Sequence, residues 1–248
     1  MAQAPVLFYS GWFCPYAQRA WIALNQCGVE YRLEEGMVRS DEITPGALGY
    51  QKNPKLLEAN PKGLVPTIIQ EGQRPVYESL ICVEYASDLS KNGKSLLPPH
   101  PADRAHARIQ ADWVNKNICS TFLPVLLKRE PEEQLASFQL VQQNLDTLSE
   151  MIKGPLYFGD EMSIVDVALF PFLYRIIDVK MLEHFRNMTV KLTPKLETWY
   201  AAMKANPAVT STLQDNAKLL ESMAQYADGT AQSAAADAVR SGGAAHDA

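Results

Sequence analysis

What most constrains the fold of this chain is a change of periodicity across residues 91–101, where Lys, Asn, Gly, Ser and three prolines interrupt an otherwise regular pattern. Such composition cannot hold a regular element and reads as a linker. Before it, short apolar runs alternate with segments of helical spacing; after it, only helical spacing recurs. Alternating strand and helix implies an α/β layer, whereas an unbroken run of helices implies a separate all-α unit. At 248 residues the chain is long enough for both.

In the first half, residues 5–9 read as a short buried strand and 16–26 as a helix that Gly28 closes at its C′ position. Residues 29–33 offer a second strand, and the short crossover makes strand, helix and strand a parallel βαβ unit. Runs 65–69 and 74–77 flank Glu71-Gly72-Gln73, a hairpin signal, and Glu78-Ser79-Leu80 opens a helix to about Leu89. In the second half, 103–127, 131–153, 164–179 and 193–205 read as helices, with another ending near Tyr226. Ser163-Ile164-Val165-Asp166 matches a capping box, for which a structural role is preferred. Residues 227–248, rich in Ala, Gly, Ser and Asp, carry one valine as their only sizeable aliphatic side chain and are expected to be disordered.

Composition removes several function classes. A formal net charge of -5 argues against nucleic acid or an anionic membrane as a main partner. No apolar stretch approaches the roughly 18 residues that span a bilayer, and the first residues carry neither a basic region nor a long apolar core. The expectation is a soluble protein of a reducing compartment, the cytoplasm. Four scattered cysteines and four histidines without ligand spacing predict no metal site.

The chemistry-bearing candidate is Cys14, in Phe13-Cys14-Pro15-Tyr16-Ala17. It sits where a strand ends and a helix begins, and Pro15 suits the first helical position. Free N–H groups and the helix dipole favour a thiolate there, and such settings lower a thiol pKa from about 8.5 to roughly 3.5–7.5. Cys27, Cys82 and Cys119 lie in or at the end of apolar helical patterns and read as inert buried thiols. If the first half folds as β-α-β-β-α, the arrangement is the thioredoxin fold, whose redox motif has a second cysteine where this chain has Ala17. A self-contained dithiol cycle is then closed to Cys14, and its partner is an external thiol.

Phe13-Cys14-Pro15-Tyr16-Ala17, Asn60-Pro61-Lys62-Gly63-Leu64-Val65-Pro66 and Tyr77-Glu78-Ser79, in that order and followed by linker and helices, resemble the omega class of glutathione transferases over residues 5–226. Each tripeptide is a weak signal; the ordered set is a strong one. The resemblance implies a thioredoxin-like glutathione-binding domain at 1–90, a linker at 91–101 and an α-helical bundle at 102–226. It implies catalysis by Cys14, with glutathione as co-substrate held by Lys52, Val65, Pro66, Glu78 and Ser79. Pro66 is implied to be cis, so that the Val65 backbone pairs with the cysteinyl part like an added strand. Ser79 at a helix start suits the γ-glutamyl carboxylate, Glu78 its ammonium, and Lys52, thirteen residues before Val65, the glycyl carboxylate. Trp113, Lys116 and Asn117, on the helix that faces the thiol in this family, are the implied contacts to a second substrate.

A cysteine in this place implies thioltransferase or dehydroascorbate reductase chemistry through a mixed disulfide with glutathione. The partners implied are glutathione, a small electrophile, disulfide or dehydroascorbate, and a second copy of the chain in a homodimer. Two alternatives stay open: a non-catalytic glutathione-binding or channel-like module of the same fold, and a transferase that conjugates glutathione to electrophiles.

Overall fold

A computed structural model describes residues 5–245, which fall into two compact units, one of residues 1–107 and 205–213 and one of 108–204 and 214–248. The division passes through helix α4 (Pro101–Val114) rather than the preceding linker, and the first unit reclaims a short segment from late in the chain.

The first unit is built on a four-stranded sheet in the order β2-β1-β5-β6. Strand β1 (Val6–Ser10) pairs in parallel with β2 (Tyr31–Glu35) and antiparallel with β5 (Thr67–Ile69), which pairs antiparallel with β6 (Val76–Tyr77). Helix α1 (Pro15–Gln26) makes the β1–β2 crossover and α3 (Ser79–Asp88) follows β6. Val6, Phe8 and Tyr9 are all buried, as an internal strand covered on both faces requires. On α1 the buried set Ala20, Ala23 and Leu24 follows helical spacing and packs on α3, where Cys82, Val83 and Ala86 are also buried. Both β2 and β5 begin two residues later than the apolar runs suggest: residues 29–30 lead out of the turn at 27–28, and residues 65–66 form the bend at a cis peptide.

Three elements of this unit escaped the sequence reading. Residues 36–52 form strands β3 (Met37–Arg39) and β4 (Tyr50–Lys52), an antiparallel pair joined by a 3-10 turn (Ser40–Glu42). Helix α2 (Pro54–Ala59) comes next, capped by the Asn53 side chain, which accepts from the Lys55 N–H. Elements of three to six residues carry too few periods to be legible. The segment at 91–101 is itself packed: Leu96 and Leu97 are buried, and the Leu96 N–H donates to Ser87 Oγ at 3.0 Å.

In the second unit, α7 (Ile164–Ile177) is buried from Ile164 to Ile176 and forms the core, as a helix apolar on nearly every side must. The expected single helix at 103–127 is broken. It ends at Val114, passes through a π-helical turn (Asn115–Cys119) and resumes as α5 (Phe122–Leu127). Helices α6 (Pro131–Met151), α8 (Met181–Arg186), α9 (Pro194–Ala205) and α11 (Asn216–Asp228) complete the bundle, whereas the single turn α10 (Pro207–Thr210) packs on α1 in the first unit. The capping box at Ser163 forms: Asp166 Oδ2 accepts from the Ser163 N–H at 2.8 Å and its hydroxyl at 2.6 Å.

The expectation of disorder over 227–248 is corrected for the described residues. Helix α12 (Ala234–Arg240) follows α11 and packs on α5, with Ala231, Ala236 and Val239 buried. Its small alanines fit a close helix contact, and Arg240 donates to the carbonyls of Gly229 and Ala231 at 2.8 and 2.7 Å. Residues 246–248 of that tail, like residues 1–4, lie outside the described residues.

Candidate active site

Cys14 is the N-cap of α1, extended at φ -82° and ψ 118°, with Pro15 in the first turn. Its N–H donates to the Gly11 carbonyl at 2.9 Å, and its carbonyl accepts the first helical bond from the Gln18 N–H at 3.1 Å. The side chain is half-buried, and Sγ lies 3.9 Å from the Val65 carbonyl oxygen as a weak donor. Helix start, thiol and the Val65 turn therefore converge across residues 51 apart in sequence.

The Val65–Pro66 peptide is cis. Asn60 builds the turn before it: its amide donates to the Leu64 carbonyl at 3.1 Å, and its Oδ1 accepts from the Lys62 N–H at 3.2 Å. Thr67 Oγ1 adds a donated bond to the same Leu64 carbonyl at 3.0 Å. Val65 itself donates its N–H to no backbone carbonyl among the described residues. A main-chain donor is thus presented beside the thiol.

Lys52 ends β4, and its Nζ donates to the Lys62 carbonyl at 2.7 Å. The lysine stem crosses Gly63, where a Cβ would lie 2.6 Å from Lys52 Cδ. Lys62 Nζ is 3.6 Å from Glu78 Oε1, with both side chains more than half exposed, so this pair is worth well under about 1 kcal/mol. It links the Lys52 loop to the start of α3.

Glu78 is the N-cap of α3 at φ 71°, in the left-handed region that costs a non-glycine residue roughly 1–3 kcal/mol. Ser79 follows at the first helical position, 9% exposed. Its Oγ accepts from Arg19 Nη1 at 3.0 Å, while its own hydroxyl hydrogen is donated to nothing among the described residues. Arg19 lies on α1, wholly buried, with its guanidinium carbon 5.2 Å from the centroid of the Tyr16 ring. The sequence reading missed Arg19. A lone cation inside a helical pattern reads as solvent-facing, and only the packing of α1 on α3 reveals its burial.

Aromatic side chains border the Cys14 loop. Phe13 stacks on Tyr50 of β4 with centroids 4.8 Å apart, and Trp12 Nε1 donates to Glu42 Oε1 at 3.2 Å. The remaining thiols are buried. Desolvation pushes Cys27 up to about 11 and Cys82 further in the same direction, while Cys119 donates to the Ala168 carbonyl at 3.5 Å.

Trp113, Lys116 and Asn117 belong to the second unit, at and just beyond the end of α4. Lys116 pairs with Asp112 at 2.7 Å on an exposed face. Asn117 donates to the Trp113 carbonyl at 2.9 Å, and its own carbonyl accepts from Asn144 at 2.6 Å. These bonds hold the π-helical turn, a distortion often found at functional sites. Among the described residues no cluster of His, Cys, Asp or Glu could hold a metal ion, and no helix is long and apolar enough to cross a membrane.

Comparison with known proteins places this geometry. Residues 13–89 match the family described as glutathione S-transferase, N-terminal domain, and 125–202 its C-terminal domain. The chain is 31% identical over 225 residues to a probable glutathione S-transferase, parC, of Nicotiana tabacum, covering 89% of this chain and 95% of that one. Glutathione transferase Omega 3C of Trametes versicolor superposes with a TM-score of 0.79 at 32% identity, covering 94% of each chain. A Tau class glutathione S-transferase of mango, Mangifera indica, does so at 0.75 and 29%, covering 91% of this chain and all of that one. Its thioredoxin-like first unit, its helical second unit and these likenesses make this chain a member of the glutathione S-transferase family.

Proposed function

We propose that this glutathione transferase is of the omega, cysteine type: a thioltransferase and dehydroascorbate reductase working through a Cys14–glutathione mixed disulfide. The observation that carries the reading is the pairing of a half-buried thiol at the α1 N-cap with the Val65 backbone, while Ala17 leaves no resolving cysteine next to it. In the proposed site the Val65 N–H and carbonyl bind the cysteinyl backbone of glutathione, with Pro66 holding the turn. Lys52 meets the glycyl carboxylate, Glu78 the γ-glutamyl ammonium, and the Ser79 hydroxyl and N–H the γ-glutamyl carboxylate. Trp113, Lys116 and Asn117 are proposed to contact the second substrate.

The Cys14 thiolate attacks the glutathione sulfur of a mixed disulfide, forming a Cys14–glutathione disulfide and expelling the other thiol, which takes a proton. A second glutathione thiolate then attacks the bound glutathione sulfur, releasing oxidised glutathione and restoring the Cys14 thiolate. The apolar exposed residues Tyr77 and Ile81, on β6 and α3, support a homodimer that covers them.

The similarity to a Tau class transferase favours a second reading, conjugation of glutathione to a carbon electrophile with Cys14 as a hydrogen-bond donor to the glutathione thiolate. Glutathione-dependent reduction of hydroxyethyl disulfide and dehydroascorbate, measured beside conjugation of an aryl halide, separates the two. The proposed mechanism expects disulfide reduction to vanish in Cys14→Ala. Full activity in that variant overturns it.

A further inference from the structure

We infer that Arg19, from inside α1, fixes the Ser79 hydroxyl as a hydrogen-bond donor and so sets affinity for the carboxylate end of glutathione; this rests on the glutathione site proposed above. The guanidinium is wholly buried, with its carbon 5.2 Å from the Tyr16 ring centroid, so its direction is set by packing rather than by solvent. Its Nη1 donates to Ser79 Oγ at 3.0 Å. A serine hydroxyl has one hydrogen to give and two lone pairs to receive with, and here one lone pair is engaged by a cation. That contact polarises the O–H bond and repels any second donor, which leaves Ser79 to donate. Among the described residues nothing receives that hydrogen, and Ser79 keeps a 9% exposed edge at the start of α3. A ligand group that suits this position is an acceptor carrying negative charge, because the Arg19 cation and the α3 N-terminus both favour it. A carboxylate meets that description; an ammonium does not. Glu78, the preceding residue, carries a carboxylate 3.6 Å from Lys62 Nζ, so an amino-acid headgroup would find an anion at Glu78 for its ammonium and, at Ser79, a hydroxyl backed by the Arg19 cation for its carboxylate.

Arg19 is therefore a positioning residue: it acts through Ser79, and its removal touches ligand binding rather than the chemistry at Cys14. The test is the dissociation constant of S-methylglutathione, an unreactive thioether, and of its analogue with the γ-glutamyl residue replaced by 4-aminobutyryl, which lacks only the α-carboxylate. In Arg19→Met, S-methylglutathione should bind about 10–100-fold more weakly, while the analogue changes by less than about 2-fold. Arg19→Lys keeps the charge without the planar fork and should lie between. Ser79→Ala removes the oxygen that Arg19 holds, and in that background Arg19→Lys should add nothing. If both ligands weaken equally, Arg19 serves only the packing of α1 and the inference fails. An unchanged affinity for S-methylglutathione in Arg19→Lys and Arg19→Met overturns it as well. Wild-type protein that binds neither ligand overturns the glutathione site itself, and the inference with it.

Discussion

At Cys14 the protein separates one thiol from three by solvation. Cys27, Cys82 and Cys119 are buried, and burial raises Cys27 to about 11 and Cys82 in the same direction, so those two stay protonated at neutral pH. Iodoacetamide at neutral pH is expected to modify Cys14 first, with Cys27 and Cys82 labelled only after denaturation, as peptide mass mapping would show. Labelling of Cys27 at the Cys14 rate in native protein would refute that order. Gly63 makes a second residue-scale case. At φ +61° it occupies a conformation that disfavours side chains, and an added Cβ would meet the Lys52 stem. Gly63→Ala should therefore cost about 1–2 kcal/mol and raise the KM for glutathione by displacing Lys52, with kcat nearly unchanged.

Among the elements, α7 depends on one carboxylate. Asp166 Oδ1 accepts from the Tyr157 N–H at 2.8 Å and Trp199 Nε1 at 2.7 Å, while Oδ2 takes both Ser163 donors. Burial raises its pKa and the four donors oppose that rise. Asp166→Ala strands all four, so a loss of at least about 3 kcal/mol is expected by chemical denaturation; a loss below about 1 kcal/mol would mean that water replaces the carboxylate. The spacing of Ser163 and Asp166 was legible in sequence because a cap is a local device. Its partners Tyr157 and Trp199 were not, since they arrive from a loop and from α9. The π-helical turn at Asn115–Cys119 escaped for a related reason: apolar spacing continues through it, and one extra residue per turn leaves no mark over five residues.

For the molecule as a whole, stability should fall as pH rises above about 9. Cys27 ionises near 9.0 when unfolded but near 11 when folded, and Tyr157 is raised to about 12, so the native state holds protons that the unfolded chain has lost. Cys27→Ala should flatten that decline between pH 9 and 11, measured as the denaturation midpoint at each pH. The C-terminal segment makes its own contribution. Truncation after Gly229 removes the buried Ala236 and Val239 and the Arg240 bonds, and should cost about 2 kcal/mol; an unchanged denaturation midpoint would show α12 to be dispensable. By itself the sequence determined the β1-α1-β2 crossover, the β5-β6 hairpin that leads into α3, the helical second half, the N-cap position of Cys14 and the capping box, because periodicity, caps and turns act within a few residues; β3, β4 and α2, which turn the expected β-α-β-β-α into a longer order, are too short to show a period. It also carried the family, through motifs in a set order. Tertiary structure alone decided that Val65 meets Cys14, that Arg19 is buried behind Ser79, that residues 205–213 return to the first unit, and that α12 is ordered. Each of these is a contact between segments far apart in the chain, where burial and charge are properties of what packs opposite and leave no local pattern to read.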